Sequence, residues 1–170
     1  VRVVASPWSA PAWLKESGSL LGGRLRTDPQ TLPTYADYLV RALVEHRAAG
    51  IPVHALTVQN EPQTRWHADY PRMEMPAAQQ VALIGELVPR LQAAALPTRV
   101  LAFDHNWALH PADAAAVPPG QDPELDYVAR VLRGTPASAV PGVAVHDYAG
   151  DASAQEDVHG AFPDREIWVT

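Results

Sequence analysis

The sharpest chemical signal in this chain of 170 residues is Asn60-Glu61-Pro62, which directly follows the apolar run Ala55-Leu56-Thr57-Val58-Gln59. A carboxyl beside an amide at the end of a buried strand suits cleavage of a glycosidic bond. The amide can hydrogen-bond a sugar 2-hydroxyl while the carboxyl reaches the glycosidic oxygen. Three residues recur by chance, so the weight lies on their placement after a strand. Ser6-Pro7-Trp8, Asp104-His105-Asn106-Trp107 and His146-Asp147-Tyr148 have the same character and also follow apolar runs. Polar residues at strand ends can simply meet solvent, but that does not account for Trp8, Trp107 and Tyr148 at these places. The blander alternatives are a buried structural carboxylate for Glu61, a strand-end cap for Asp104 and a satisfied core histidine for His146.

The elements that must position these clusters follow a repeated order: a short β-branched run, a polar and aromatic cluster, then a helical pattern. That order is the signature of βα units and a parallel sheet. The runs are Val1 to Ala5, Val53 to Val58, Arg99 to Phe103, Gly142 to Val145 and Glu166 to Val169, short and nearly all apolar, as strands covered on both faces are. The clearest helix pattern is Thr34 to Ala49, with Tyr35, Tyr38, Leu39, Ala42 and Leu43 on one face and a stop at Gly50. A second spans Ala77 to Ala95, where Pro89 is expected to kink or split it. A third starts at Asp122 as N-cap with Pro123 at the first position and ends at Gly134, and a short one covers Ser153 to Ala161. Gly18 to Pro33 and His110 to Gln121 read as long βα loops. If the strands are parallel, all four chemical clusters meet at one end of the sheet, as in barrels whose loops build one pocket.

Composition sets the bounds. Hydrophobic residues make up 47% and charged residues 19%, which belongs to a folded globular chain and not to a disordered one. A net charge of -6 with 13 scattered Lys and Arg argues against binding nucleic acid. There is no cysteine, hence neither disulfide nor thiolate metal site. No stretch reaches the roughly 18 apolar residues of a membrane span, and the opening residues lack a signal peptide's basic and apolar regions. A complete (β/α)8 barrel takes about 250 residues, so any barrel here is a partial one.

The string Ala5-Ser6-Pro7-Trp8-Ser9-Ala10-Pro11-Ala12-Trp13-Leu14-Lys15, then Tyr35 to Val40, Ala55 to Pro62, Asp104 to Trp107 and Val143 to Gly150, resembles glycoside hydrolase family 30 in order and spacing. The resemblance covers essentially the whole chain. It implies an α/β fold, a partial (β/α)8 TIM barrel over strands 3 to 7, with residues 1–170 forming one partial catalytic domain. Strands 1, 2 and 8 and an accompanying β-sandwich domain are then expected outside the chain, as its structural partners. Opening on a strand pattern without Met, the chain reads as cut at its N-terminus.

By the same resemblance Glu61 is the acid/base and Asn60 contacts the sugar 2-hydroxyl. Trp8 and Trp13 correspond to the family's Ser-Pro-Trp segment, one of them packing on a sugar face, while Asp104 or Trp107 helps line the subsite. His146 and Tyr148 match the sixth strand, and Asp147 departs from the aromatic or small residue usual there. The nucleophile is a Glu that would follow Glu166-Ile167-Trp168-Val169-Thr170, one residue on, and its repulsion would raise the pKa of Glu61. The implied activity is retaining hydrolysis of β-glycosides of the glucosylceramidase or β-1,6-glucanase type, lost in this piece alone. No cofactor and no metal are expected, the partner is a glycan or glycolipid, and secretion is what the family suggests.

Two rivals stand beside this reading. His105 and His146 at the ends of successive strands could be ligands of a metal-dependent barrel hydrolase, although no His-x-His pair or bridging lysine accompanies them. A non-catalytic sugar-binding relative would keep the aromatic platform without a nucleophile. Arg24, Arg26 and Arg47 read as solvated charges, and Trp66-His67 and the loop around Asp113 as surface features.

Overall fold

Apolar runs too short to be helices become strands when both their faces can be covered, and five do so here. The computed structural model describes residues 1–65, 69–108, 115 and 123–170, of which 123–125 by backbone only. Trp66-His67, the Asp113 loop and the Asp122 cap lie outside the described residues. The strands are β1 (Val3–Ala5), β2 (Val53–Thr57), β3 (Arg99–Asn106), β4 (Gly142–His146) and β5 (Glu166–Val169). They pair in chain order, β1-β2-β3-β4-β5, every pair parallel. β4 is buried throughout, while the edge strands β1 and β5 are only partly covered.

Between the strands run α1 (Thr31–Ala48), α2 (Ala77–Ala93), α3 (Pro123–Gly134) and α4 (Ala154–Ala161). Each packs on the next, α1 on α2, α2 on α3 and α3 on α4, forming one layer against the sheet. α1 starts at Thr31, three residues before the expected Thr34. Asp28 accepts hydrogen bonds there from the Gln30 N–H at 3.1 Å and the Thr31 hydroxyl at 2.7 Å. Pro33 falls in the first turn, where its lack of an N–H costs no intrahelical bond. Tyr38, expected on the apolar face, is about half exposed and stacks on buried Tyr35 with ring centroids 6.3 Å apart. α2 runs through Pro89 as one helix, where a split was one expected outcome.

Among the described residues, two apolar clusters lie on opposite faces of the sheet. The larger one lies between sheet and helices and includes Leu39, Leu43, Leu56, Val58, Leu83, Leu87, Val100, Ala102, Val131 and Val143. The smaller comprises Ala55, Leu101 and Ala144, with Val4 and Trp168 packed on it. Because side chains alternate along a strand, this small set marks the other face, the one that looks inward in a barrel. Gly142 permits a close approach of β4 and β5, since a Cβ there would run into the Glu166 carbonyl oxygen.

Candidate active site

Counting two residues on from each member of the inward-facing set leads to the site. Val4 leads to Ser6, Ala55 to Thr57, Ala144 to His146 and Trp168 to Thr170, all on the same face by the period of two. β3 breaks this rule. Leu101 faces inward, which should send Phe103 inward as well, yet Ala102 and Phe103 both belong to the helix-side core. The break is a β-bulge. The β3–β4 register shifts between Phe103 and His105, and Phe103 and Asp104 hold φ values of 71° and 65°. Positive φ at two consecutive non-glycine residues costs about 1–3 kcal/mol each and is typical of functional sites. Its effect is to turn Asp104 inward in place of Phe103 and to carry β3 three residues past its expected end.

Asp104 is fully buried and takes four hydrogen bonds, each from a different strand or strand end. The Ser6 and Thr57 hydroxyls donate to Oδ2 at 2.5 Å, the Thr170 hydroxyl to Oδ1 at 2.9 Å, and His146 Nε2 lies 3.1 Å from Oδ1. Burial alone would raise the Asp104 pKa, but these donors outweigh it and hold the carboxyl below the ordinary range. The other His146 nitrogen, Nδ1, stands 3.4 Å from Glu61 Oε1. Burial opposes a charge on His146, but the two carboxylates prevail and push its pKa up to about 9. His146 is therefore an imidazolium at neutral pH, wedged between two anions.

Glu61 is set at the end of β2 by bonds that tie neighbouring loops together. Its N–H donates to the Asp104 carbonyl at 2.8 Å, the Asn60 N–H to the Pro7 carbonyl at 2.9 Å, and the Gln59 amide to the Trp8 carbonyl at 2.9 Å. Like Phe103 and Asp104, Glu61 has positive φ, 44°. Its pKa was expected to rise through a second carboxylate. Within this chain it is lowered instead, first by the His146 contact, which together with the charges of His105 and His146 and the Thr64 hydroxyl outweighs burial.

The Glu61 carboxyl faces an open cavity of about 360 Å³. Polar lining comes from Ser6, Asn60, Glu61, Asp104, His146 and Thr170, and aromatic lining from Trp8, Tyr70 and Tyr148. Trp8 meets Tyr70 edge-on at 5.6 Å, and Tyr148 meets His146 edge-on at 5.5 Å. Gly150, with φ 92°, lets the loop after β4 lie against the loop after β3, since a Cβ there would stand 2.6 Å from the Ala108 nitrogen. An apolar wall with a few convergent polar groups is the usual form of a small-molecule binding pocket.

The cavity thus gathers six of the eight residues singled out in the sequence: Glu61, Asn60, Trp8, Asp104, His146 and Tyr148. Trp13 is 57% exposed on a short 3-10 turn, and Trp107 belongs to the helix-side core; neither lines the cavity. Asp147 is exposed beside it. Thr57, Tyr70 and Thr170 were not foreseen. Their signal was weak: two hydroxyls at inward positions of strands, and a tyrosine in a segment without periodicity. His105 is buried, its Nδ1 accepts the Asn106 N–H at 2.8 Å, and burial drives its pKa down to about 4. No group of three potential metal-ligating side chains converges among the described residues. Arg24 is not merely solvated, for it grips Glu74 through two bonds of 2.8 and 2.7 Å, and Arg65 joins the same carboxylate at 2.7 Å.

The profile of the Glycosyl hydrolase family 30 TIM-barrel domain matches residues 1–170. The chain belongs to glycosyl hydrolase family 30. It is 30% identical over its whole length to an endo-1,6-β-D-glucanase of Trichoderma harzianum and 29% identical to the lysosomal acid glucosylceramidase of Mus musculus, covering 34% and 32% of those proteins. A solved endo-β1,6-glucanase superposes on all of it with a TM-score of 0.83 at 27% identity, 36% of that chain being covered. The chain thus spans about a third of the length of these relatives. Its five parallel strands are part of the family's TIM barrel, with the cavity where the strands' C-terminal ends meet.

Proposed function

We propose that this chain carries the acid/base half of a retaining β-glycoside hydrolase, with Glu61 as proton donor and later proton acceptor. The observation that carries the reading is Glu61 itself. Its carboxyl opens on a cavity walled by Trp8 and Tyr148, beside Asn60 and 3.4 Å from an imidazolium. A sugar ring stacked on an aromatic wall would present its glycosidic oxygen to Glu61, and the Asn60 amide beside it would meet the neighbouring hydroxyl. The second carboxylate, the nucleophile, would come from the protein beyond Thr170, about 5 to 5.5 Å from Glu61 as retention requires. That anion would offset the His146 charge and raise Glu61 toward a protonated acid. The names of the relatives favour a β-1,6-glucan or a glucosylceramide-like β-glucoside as substrate.

Glu61→Ala in the full-length protein tests the assignment. Substrates with poor leaving groups should lose about 10²- to 10⁴-fold in kcat/KM, the range of general acid catalysis, while activated aryl glycosides should still release their aglycone. Equal loss on both classes, or near wild-type turnover, contradicts the role given to Glu61. A wild-type protein that binds sugar without any turnover would make the chain part of a non-catalytic relative.

A further inference from the structure

Asp104 reaches the site only because β3 changes phase at Phe103, so whatever holds the bulge also holds the site. The ladder between β2 and β3 ends at Thr57 and Leu101. Beyond it the buried Phe103 N–H has no β2 carbonyl to bond, and a buried N–H must find an acceptor elsewhere. It finds the side chain of Gln80 in the first turns of α2, whose Oε1 accepts it at 3.1 Å. Gln80 is completely buried, and among the described residues its Nε2 has no hydrogen-bond partner. The amide thus serves as an acceptor alone. One residue further on, the Asp104 carbonyl accepts the Glu61 N–H at 2.8 Å, so the strained backbone at Phe103-Asp104 is joined directly to that at Glu61.

We propose that Gln80, which lines no part of the cavity, is a positioning residue for the acid/base. By taking the Phe103 N–H it fixes the bulge that aims the Asp104 carboxylate at His146 and sets the Asp104 carbonyl that anchors Glu61. The inference rests on Glu61 being the acid/base. The alternative phase of β3 is an ordinary extended strand, with Phe103 inward and Asp104 buried against the helices. Gln80 raises the cost of that phase by satisfying the N–H only in the bulged one.

Two variants in the full-length protein separate this from bulk packing. Gln80→Leu keeps roughly the size of the side chain and removes the acceptor. Gln80→Glu keeps an acceptor oxygen and gives up only an NH2 that bonds nothing among the described residues. Gln80→Leu should lower kcat about 10- to 100-fold on substrates with poor leaving groups, with KM within about twofold, as an ångström-scale misplacement of a catalytic group does. The His146 ring, followed by NMR of 13C-labelled histidine, should titrate well below its wild-type value of about 9. At pH 5, where burial keeps the new carboxyl neutral, Gln80→Glu should stay within about threefold of wild type in kcat. Unchanged kcat and unchanged His146 titration in Gln80→Leu overturn the proposal. So does a loss in Gln80→Glu as deep as tenfold at pH 5, a criterion that holds even if Gln80→Leu fails to fold. If Glu61→Ala shows that Glu61 is not the acid/base, the His146 titration still decides whether Gln80 holds the bulge, so the two failures are distinguishable.

Discussion

Replacing Asp104 with Asn removes one of the two negative charges that flank the His146 ring and leaves the shape of the site almost unchanged. In the wild-type site His146 Nε2 lies 3.1 Å from Asp104 Oδ1, Nδ1 lies 3.4 Å from Glu61 Oε1, and the ring pKa stands at about 9. A hydrogen bond to a charged partner contributes about 1.5–3 kcal/mol, and one pKa unit corresponds to about 1.4 kcal/mol. The cavity opens on one side of the ring, and solvent screening there favours the lower half of that range. The Asp104→Asn variant should therefore carry a His146 pKa about one to two units lower, at about 7 to 8. The sign for stability follows from the direction. A histidine raised from 6.5 to about 9 on folding contributes stability that is fully present below about 6.5 and is lost as pH rises through about 9. The variant should lose less over that window and complete its loss at lower pH. The assay is a 13C-histidine NMR titration from pH 5 to 10 on both proteins, with denaturant midpoints at about pH 6 and 9 beside it. A His146 pKa in the variant within about 0.5 unit of wild type would refute the reasoning, because the imidazolium would then owe its charge to something other than Asp104.

Four further outcomes can be checked. With Glu61→Ala in the full-length protein, azide should accelerate turnover of activated aryl glycosides and yield the β-glycosyl azide; the α-anomer would reverse the roles given to the two carboxyls. Residues 1–170 alone should not turn over aryl β-glucosides, and sustained turnover abolished by Glu61→Gln would point to Asp104 or Asp147 as a second carboxylate. The same isolated piece, with open edges at β1 and β5, should melt at low temperature or aggregate, so a sharp, reversible melt of a monomer would contradict that expectation. Gly150→Ala meets a φ of 92° and the Ala108 nitrogen at 2.6 Å, so it should destabilise the full-length protein by at least about 1–3 kcal/mol and lower its melting temperature; an unchanged melt would show that the two loops can part at no cost.

The order of elements, the parallel pairing of the strands and the meeting of four clusters at one end were all legible in the chain itself. They follow from local rules: short apolar runs alternating with 3.6-period patterns admit few arrangements, and βα units place every strand's end on the same side. Asn60-Glu61 could be read because its motif lies within a few residues of a strand whose end is marked. What lay beyond the sequence was the phase of β3. Read by alternation from Leu101, Phe103 belongs inward and Asp104 against the helices, and the structure places them the other way. A bulge of one residue is decided by which buried N–H finds an acceptor, and that acceptor, Gln80, lies 23 positions away on a helix. For the same reason Trp8 and Trp107, alike in the sequence as aromatics after a strand, part company in space. Trp8 lines the cavity, while Trp107 is drawn into the helix-side core. The charge on His146 is likewise a product of assembly: residue type alone makes it a histidine near 6.5, and only the convergence of β2, β3 and β4 sets two carboxylates against its two nitrogens.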